Sequence, residues 1–157
     1  MDDGNKMISL LGKSEKDEQV RKMLEGLNVA MPLKRPKKGE DTINIVLKKI
    51  DIELAFQYAE VLFPKSDNYA EGELIFSTVF FYPSRDKNAV ERFSFPFGLS
   101  EKLSRKMVQD RLGKPSWNNP HPKIKSDRWI VGNVKIFIEF EDDETSINQL
   151  IVFIGIN

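Results

Sequence analysis

The sequence predicts an α+β fold made of two similar units, each a helix followed by a three-stranded antiparallel meander, together forming one compact molecule. Helical periodicity over about residues 15–27 and 105–112 precedes, in each case, a series of short runs rich in β-branched and aromatic residues. The order of elements is therefore the same in both halves. Individual positions also correspond: Leu27 and Leu112 close the two helices, and Leu54-Ala55-Phe56 resembles Ile136-Phe137-Ile138. Self-similarity at a nearly constant offset marks an internal duplication. The expected organisation is a polar tail over 1–7, a first repeat over 8–92 and a second over 93–157. Each helix would cover one face of its own sheet, and the two similar sheets would bury their remaining apolar surface against each other.

Ser14 opens a Ser-x-x-Asp capping pattern, with Glu15, Asp17 and Glu18 where the helix dipole favours anions. Val20, Met23, Leu24 and Leu27 then share one helical face. Pro32 and Pro36 bracket a basic loop, and strands are predicted at 42–47 and 52–57 around Lys48-Lys49-Ile50-Asp51. Residues 58–72 carry neither period. The run 74–82 is continuously apolar, which predicts a strand buried on both faces, and Pro83-Ser84 ends it. In the second half Ser104 caps the helix over 105–112, and Gly113 and Pro115 stop it through a left-handed turn and a helix-incompatible imide. A Pro/Asn-rich loop over 116–122 leads into strands near 127–131, 134–140 and 147–154, with Asp142-Asp143-Glu144 in the last hairpin turn.

Composition narrows the function. Of 157 residues, 31% are charged and 40% apolar, the balance of a globular domain with one sizeable core. The formal net charge of zero disfavours a duplex nucleic-acid binder, whose affinity rests on phosphate neutralisation. Cysteine is absent, which removes disulfides, thiolate nucleophiles and cysteine-ligated metals. No apolar window is long enough to span a bilayer, and the acidic, polar start Met1-Asp2-Asp3-Gly4-Asn5-Lys6 is unlike a signal peptide, so a cytoplasmic location is expected.

The residues that could carry chemistry do not assemble into a catalytic set. His121, the single histidine, stands between Pro120 and Pro122 without a second base or a set of ligands, and reads as an exposed loop residue. Lys34 to Lys38 reads as solvated loop, since no glycine-rich turn before a helix accompanies it. No acid stands in an apolar context that would clearly raise its pKa. The reading is thus a protein without enzymatic activity, cofactor or metal. Asp127-Arg128-Trp129 supports two roles: Arg and Trp dominate interface hot spots, yet Trp129 at a strand start would pack on its own helix while Asp127 and Arg128 hold the loop to the strand. Glu139, Glu141, Asp142, Asp143 and Glu144 crowd one hairpin, either to keep a sheet edge soluble or to receive a cationic partner.

Taken in order, Leu10-Leu11-Gly12, the acidic helix, Lys34-Arg35-Pro36, Ile52 to Phe56, Ile75 to Tyr82, Phe97-Gly98-Leu99-Ser100, Leu112-Gly113-Lys114-Pro115 and Asp127-Arg128-Trp129 resemble a bacterial family of immunity proteins found beside polymorphic toxins. Its tandem helix-plus-meander units are β-lactamase-inhibitor-like. The resemblance implies a cytoplasmic protein that binds one cognate protein toxin, a basic nuclease-like domain being one type, and neutralises it by stoichiometric complex formation. It implies no direct contact with nucleic acid or membrane and leaves the oligomeric state open. The candidate partner-binding residues are Trp117, Arg128, Glu141, Asp142, Asp143 and Glu144. The alternative is an intracellular adaptor or assembly factor that uses the same repeat to bind a non-toxin protein.

Overall fold

The computed structural model describes residues 3–83 and 93–154. Strands β1 (Thr42–Leu47), β2 (Ile52–Tyr58), β3 (Leu74–Phe81), β4 (Trp117–Asn118), β5 (Ser126–Val131), β6 (Val134–Phe140) and β7 (Ile147–Ile154) form one sheet in the order β1-β2-β3-β7-β6-β5-β4. Every neighbouring pair is antiparallel. Helices α1 (Asp3–Ile8), α2 (Glu18–Gly26), α3 (Ala59–Leu62) and α4 (Arg105–Leu112), with a 3-10 turn over Lys48–Ile50, complete the described elements. The class is mixed α+β.

Two separate sheets do not occur: the meanders β1-β2-β3 and β5-β6-β7 meet edge to edge, with Thr78 opposite Phe153 and Phe81 opposite Leu150. Each third strand would otherwise end its sheet with unpaired peptide groups, and joining the two edges satisfies both at once. The first residues of β3 lie outside the span that pairs with β7 and find a different partner. Gly12 N–H donates to Phe76 C=O (2.8 Å), Phe76 N–H to Lys13 C=O (2.9 Å) and Glu15 N–H to Leu74 C=O (2.8 Å). This part of β3 is buried on both faces, as its continuous apolar run predicts.

Elsewhere the strands alternate. Val134, Ile136, Ile138 and Phe140 of β6 turn inward, as do Leu150, Val152 and Ile154 of β7. They join Leu54, Phe56, Val79 and Phe81 of the other meander in one core with Val20 and Leu24 of α2 and Val108 of α4. Phe56 and Phe76 stack at 5.2 Å beside a bulge in the β2–β3 pairing.

The helix ends show which capping signals act. α2 begins three residues later than expected because Asp17, not Ser14, is its N-cap, accepting from Gln19 N–H and Val20 N–H. Ser14 instead accepts from Lys16 N–H and forms a β-bridge with Ile75. α4 matches its expected bounds, with Ser104 Oγ accepting from Met107 N–H and Gly113 in the left-handed half of backbone space (φ 86°, ψ −172°). The expected polar tail over 1–7 is corrected from Asp3 onward, since α1 buries Met7 and packs Gly4 on another segment. A Cβ on Gly4 would lie 2.3 Å from Ser94 C=O. Ser84 and the expected boundary at residue 92 lie outside the described residues.

Gly113 is a position where backbone geometry demands glycine. A Cβ there meets no atom within 4 Å, so substitution adds strain without a clash. Gly113→Ala is expected to lower stability by about 1–3 kcal/mol, the cost of a backbone region reserved for glycine. Gly26→Ala, in helical backbone with equally open space, is expected to raise it by about 0.5–1 kcal/mol. Urea midpoints at unchanged m-value measure both.

Candidate functional site

The strand β5 places successive side chains on opposite faces and so divides the Asp127-Arg128-Trp129 motif. Trp129 is buried, and its Nε1–H donates to Gly113 C=O at 2.9 Å, tying β5 to the end of α4. Asp127 is 0% exposed. Its carboxylate accepts from Arg105 Nε (2.9 Å) and Nη2 (2.5 Å), from Gln109 Nε2 (2.9 Å) and from Asn118 Nδ2 (2.7 Å). Arg105 turns its remaining Nη1 to Glu144 Oε1 at 2.6 Å and lies over the Phe140 ring. One charge network therefore clamps the start of α4, β4, β5 and the β6–β7 hairpin together.

Burial by itself would push the Asp127 carboxyl up, but the hydrogen bonds from Arg105, Gln109 and Asn118 outweigh it and hold the group below the usual carboxylate range. The Arg105 guanidinium is raised by Asp127, against the opposing effect of burial, and by Glu144. A second buried acid is Glu15, whose two oxygens accept from Arg35 Nη2 (2.5 Å) and Nη1 (2.6 Å), with Leu74 N–H at 2.6 Å. Both acids are buried, yet the pKa of Asp127 is lowered, so it does not break the expectation that no apolar context raises an acid's pKa. Arginines from distant parts of the chain neutralise them, and sequence neighbours do not reveal such partners.

Arg128 points to the opposite side from Asp127. It stands directly across from Trp117, with its guanidinium 5.0 Å from the centre of the Trp117 ring. From this pair a single register row crosses all seven strands: Trp117, Arg128, Phe137, Ile151, Phe80, Glu53 and Val46. All seven are exposed or half-buried, while the adjacent inward row (Trp129, Ile136, Val152, Val79, Leu54) is buried. A parallel outward row adds Ile130, Lys135, Phe153 and Thr78. Helices α2 and α4 pack with the buried rows through Val20, Leu24 and Val108, and along the row from Val46 to Trp117 the opposite face is a partly apolar surface. Ile130 is 63% exposed and Trp117 37%. Phe137, Ile151 and Phe80 were legible only as strand residues, because apolar residues on both parities of a strand do not say which face is covered.

The acidic candidates separate. Glu141 and Asp142 are exposed in the hairpin. Asp143 accepts from the hydroxyl and N–H of Thr145, which lowers its pKa. Glu144 is bound to Arg105 and so belongs to the clamp. Asp127 and Arg128 both hold the loop to the strand, Asp127 through Asn118 and Arg128 through its C=O, which accepts from Ser116 N–H and Oγ, and through its stack on Trp117. Arg35, expected in a solvated loop, is committed to Glu15 and Gly72 C=O. His121 is exposed, and its Nδ1 accepts from Lys123 N–H. Among the described residues no group of three His, Asp or Glu is placed to hold a metal ion, and no helix is long and apolar enough to cross a membrane. No protein-family model matches the chain, and neither a curated protein nor a solved structure matches it.

Removing the acceptor from the clamp would leave Arg105 with Glu144 as its remaining carboxylate and take the acceptor from Gln109 and Asn118. Asp127→Ala is expected to cost about 1–3 kcal/mol, the penalty for leaving buried donors without their acceptor. Because the folded pKa is depressed, the contribution of Asp127 is present above the unfolded carboxyl value and is lost as pH falls through the folded one. Wild-type stability should therefore drop more steeply below about pH 4 than that of Asp127→Asn. Urea titrations across pH 2–6 compare the two.

Proposed function

We propose that this chain is an immunity protein that neutralises a cognate toxin domain by stoichiometric binding through the open face of its sheet. The observation that carries the reading is the uninterrupted outward row from Val46 to Trp117, which ends on the Arg128–Trp117 stack. Six inter-strand steps make that face about 29 Å wide. Multiplied by a strand length of roughly 20 Å, it approaches one side of a standard protein–protein interface. Its chemistry suits such use: aromatic and aliphatic side chains in the middle, with tryptophan and arginine, the residue types that dominate hot spots, toward one edge.

In this reading the two helix-plus-meander units are repeats of one ancestral unit, and each contributes strands to the binding face. Glu141, Asp142 and Asp143 supply a negative rim that speeds encounter with a basic, nuclease-like toxin surface without direct contact with nucleic acid or membrane. The protein acts in the cytoplasm, where it meets the toxin, and needs neither cofactor nor catalysis. The chain's resemblance in motif order to toxin-associated immunity proteins supports the choice of partner.

Co-expression with the toxin domain encoded beside it tests the function. Growth rescue is expected, and its absence turns the reading toward an adaptor for a non-toxin protein. Trp117→Ala and Arg128→Ala should each weaken the complex by about 2 kcal/mol, or roughly 30-fold in Kd, with the urea midpoint unchanged. Neutralising Glu141, Asp142 and Asp143 together should slow association several-fold at low ionic strength and little at high salt. Glu144 is kept in that variant because it holds Arg105. Surface plasmon resonance at two salt concentrations reads both effects.

A further inference from the structure

The two edges of the sheet are built differently. The β4 edge is two residues long and lies between Pro115 and Pro120, a common way of denying a template to other chains. The β1 edge is six residues, Thr-Ile-Asn-Ile-Val-Leu, with no charge, proline or bulge. Tyr58 N–H donates to Asp41 C=O, so the alternation of antiparallel pairing turns the peptide groups of Ile43, Ile45 and Leu47 toward β2. Thr42, Asn44 and Val46 turn theirs outward. Among the described residues no backbone hydrogen bond reaches those outward groups. Beside this edge lies a groove of about 570 Å³ between residues 29–37 and β1, lined by Val29, Pro32, Leu33, Ile43 and Ile45 among others.

We propose that β1 is a self-association edge, on which a second copy of this chain pairs its own β1 antiparallel across a two-fold axis. The strand is self-complementary in charge. Glu40 and Asp41 precede it and Lys48 and Lys49 follow it, all four at exposed positions just beyond its ends. Antiparallel self-pairing sets the acids of each copy against the lysines of the other. A two-fold axis normal to the sheet keeps residues of one parity on one face, and centring it on Asn44 uses every outward peptide group. Thr42 then pairs with Val46 of the second copy, Asn44 with its own counterpart, and Val46 with Thr42. With two bonds per narrow pair this makes about six new hydrogen bonds. Glu40 and Asp41 of each copy then lie near the turn that carries Lys48 and Lys49 of the other. On the inward side, Ile43 and Ile45 of the incoming strand are directed toward the apolar groove. An unrelated acidic peptide would match the basic loop, but it would lack the reciprocal match at both ends of the strand. The contact leaves Trp117 and Arg128 free, so it stands apart from the toxin-binding reading.

Sedimentation velocity on the full chain from about 1 to 500 µM tests the proposal, the range bracketing weak to moderate association energies. The weight-average mass should rise toward twice the monomer value. Asn44→Pro removes one outward N–H and is tolerated on an edge strand, so it should remain monomeric throughout with an unchanged circular dichroism spectrum. Lys48→Glu with Lys49→Glu should weaken the dimer at least tenfold at low salt, and adding Glu40→Lys with Asp41→Lys should restore it. That pair of charge variants decides the matter if Asn44→Pro does not fold. Trp117→Ala should leave the dimer unchanged. A wild-type chain monomeric at the highest concentration overturns the proposal. So does a dimer that survives Asn44→Pro and the lysine reversal, or one lost on Trp117→Ala, which would place the contact on the open face.

Discussion

The pairing of β3 with β7 is the contact on which the rest of the molecule depends. Four register pairs, Thr78 with Phe153 through Phe81 with Leu150, turn two three-stranded meanders into one continuous sheet. A lone meander with one helix buries too little apolar surface to be secure, whereas a seven-stranded sheet offers one broad face for a shared core. The joint also fixes the phase of alternation across the molecule. Because Val79 and Val152 face inward together, Leu54, Ile136 and Trp129 follow them, and the outward row from Val46 to Trp117 is aligned by the same register. A slip of one residue at this joint would turn one half inside out.

Among the described residues two buried carboxylates, Glu15 and Asp127, are each bound by an arginine remote in sequence, while a third, Glu73, is met by Ser14 and Lys16. Glu15 with Arg35 fastens the segment before α2 to the start of β3, and Asp127 with Arg105 fastens α4 to β5 and the final hairpin. Such pairs add little net stability over apolar residues of similar size, because two ions must be desolvated. What they provide is geometry. Bidentate hydrogen bonds fix the height and orientation of a short helix on the sheet. This matters for α4, which has eight residues and buries only Val108 among them.

Local physics carried the sequence reading furthest. Strands β1, β6 and β7 fall on their expected bounds because runs of β-branched and aromatic residues between turn residues specify them, and α4 does so because Ser104 and Gly113 mark its ends. The start of α2 was misplaced for a reason equally physical. Both Ser14 and Asp17 are competent caps, and the β-bridge from Ser14 to Ile75, a contact over sixty residues of chain, decides between them. The single sheet was hidden for the same reason, since edge pairing between meanders depends on backbone groups that every sequence possesses. Of the candidate site, Trp117 and Arg128 were legible by residue type, but their stacking was not, and Glu144 looked like a surface acid until Arg105 was seen against it. One signal was available and unused: Asp127 has the same strand parity as the buried Trp129, and a carboxylate at an inward position requires a cationic partner.

Alternation also separates the tasks of the sheet. Inward residues are close-packed and answer to stability, so their identities are constrained by neighbours on both adjoining strands. Outward residues on the same strands touch one another only laterally and can change with modest effect on the core. A protein that must recognise one partner among variable relatives gains from this arrangement, because specificity can be altered on one face while the register, clamp and core on the other remain intact. The backbone beneath the outward row is held by hydrogen bonds on both sides along β2, β3, β7 and β6, so the proposed docking of a partner there would require little ordering. Only Val46 and Trp117, on the two edge strands, stand where the sheet itself can yield.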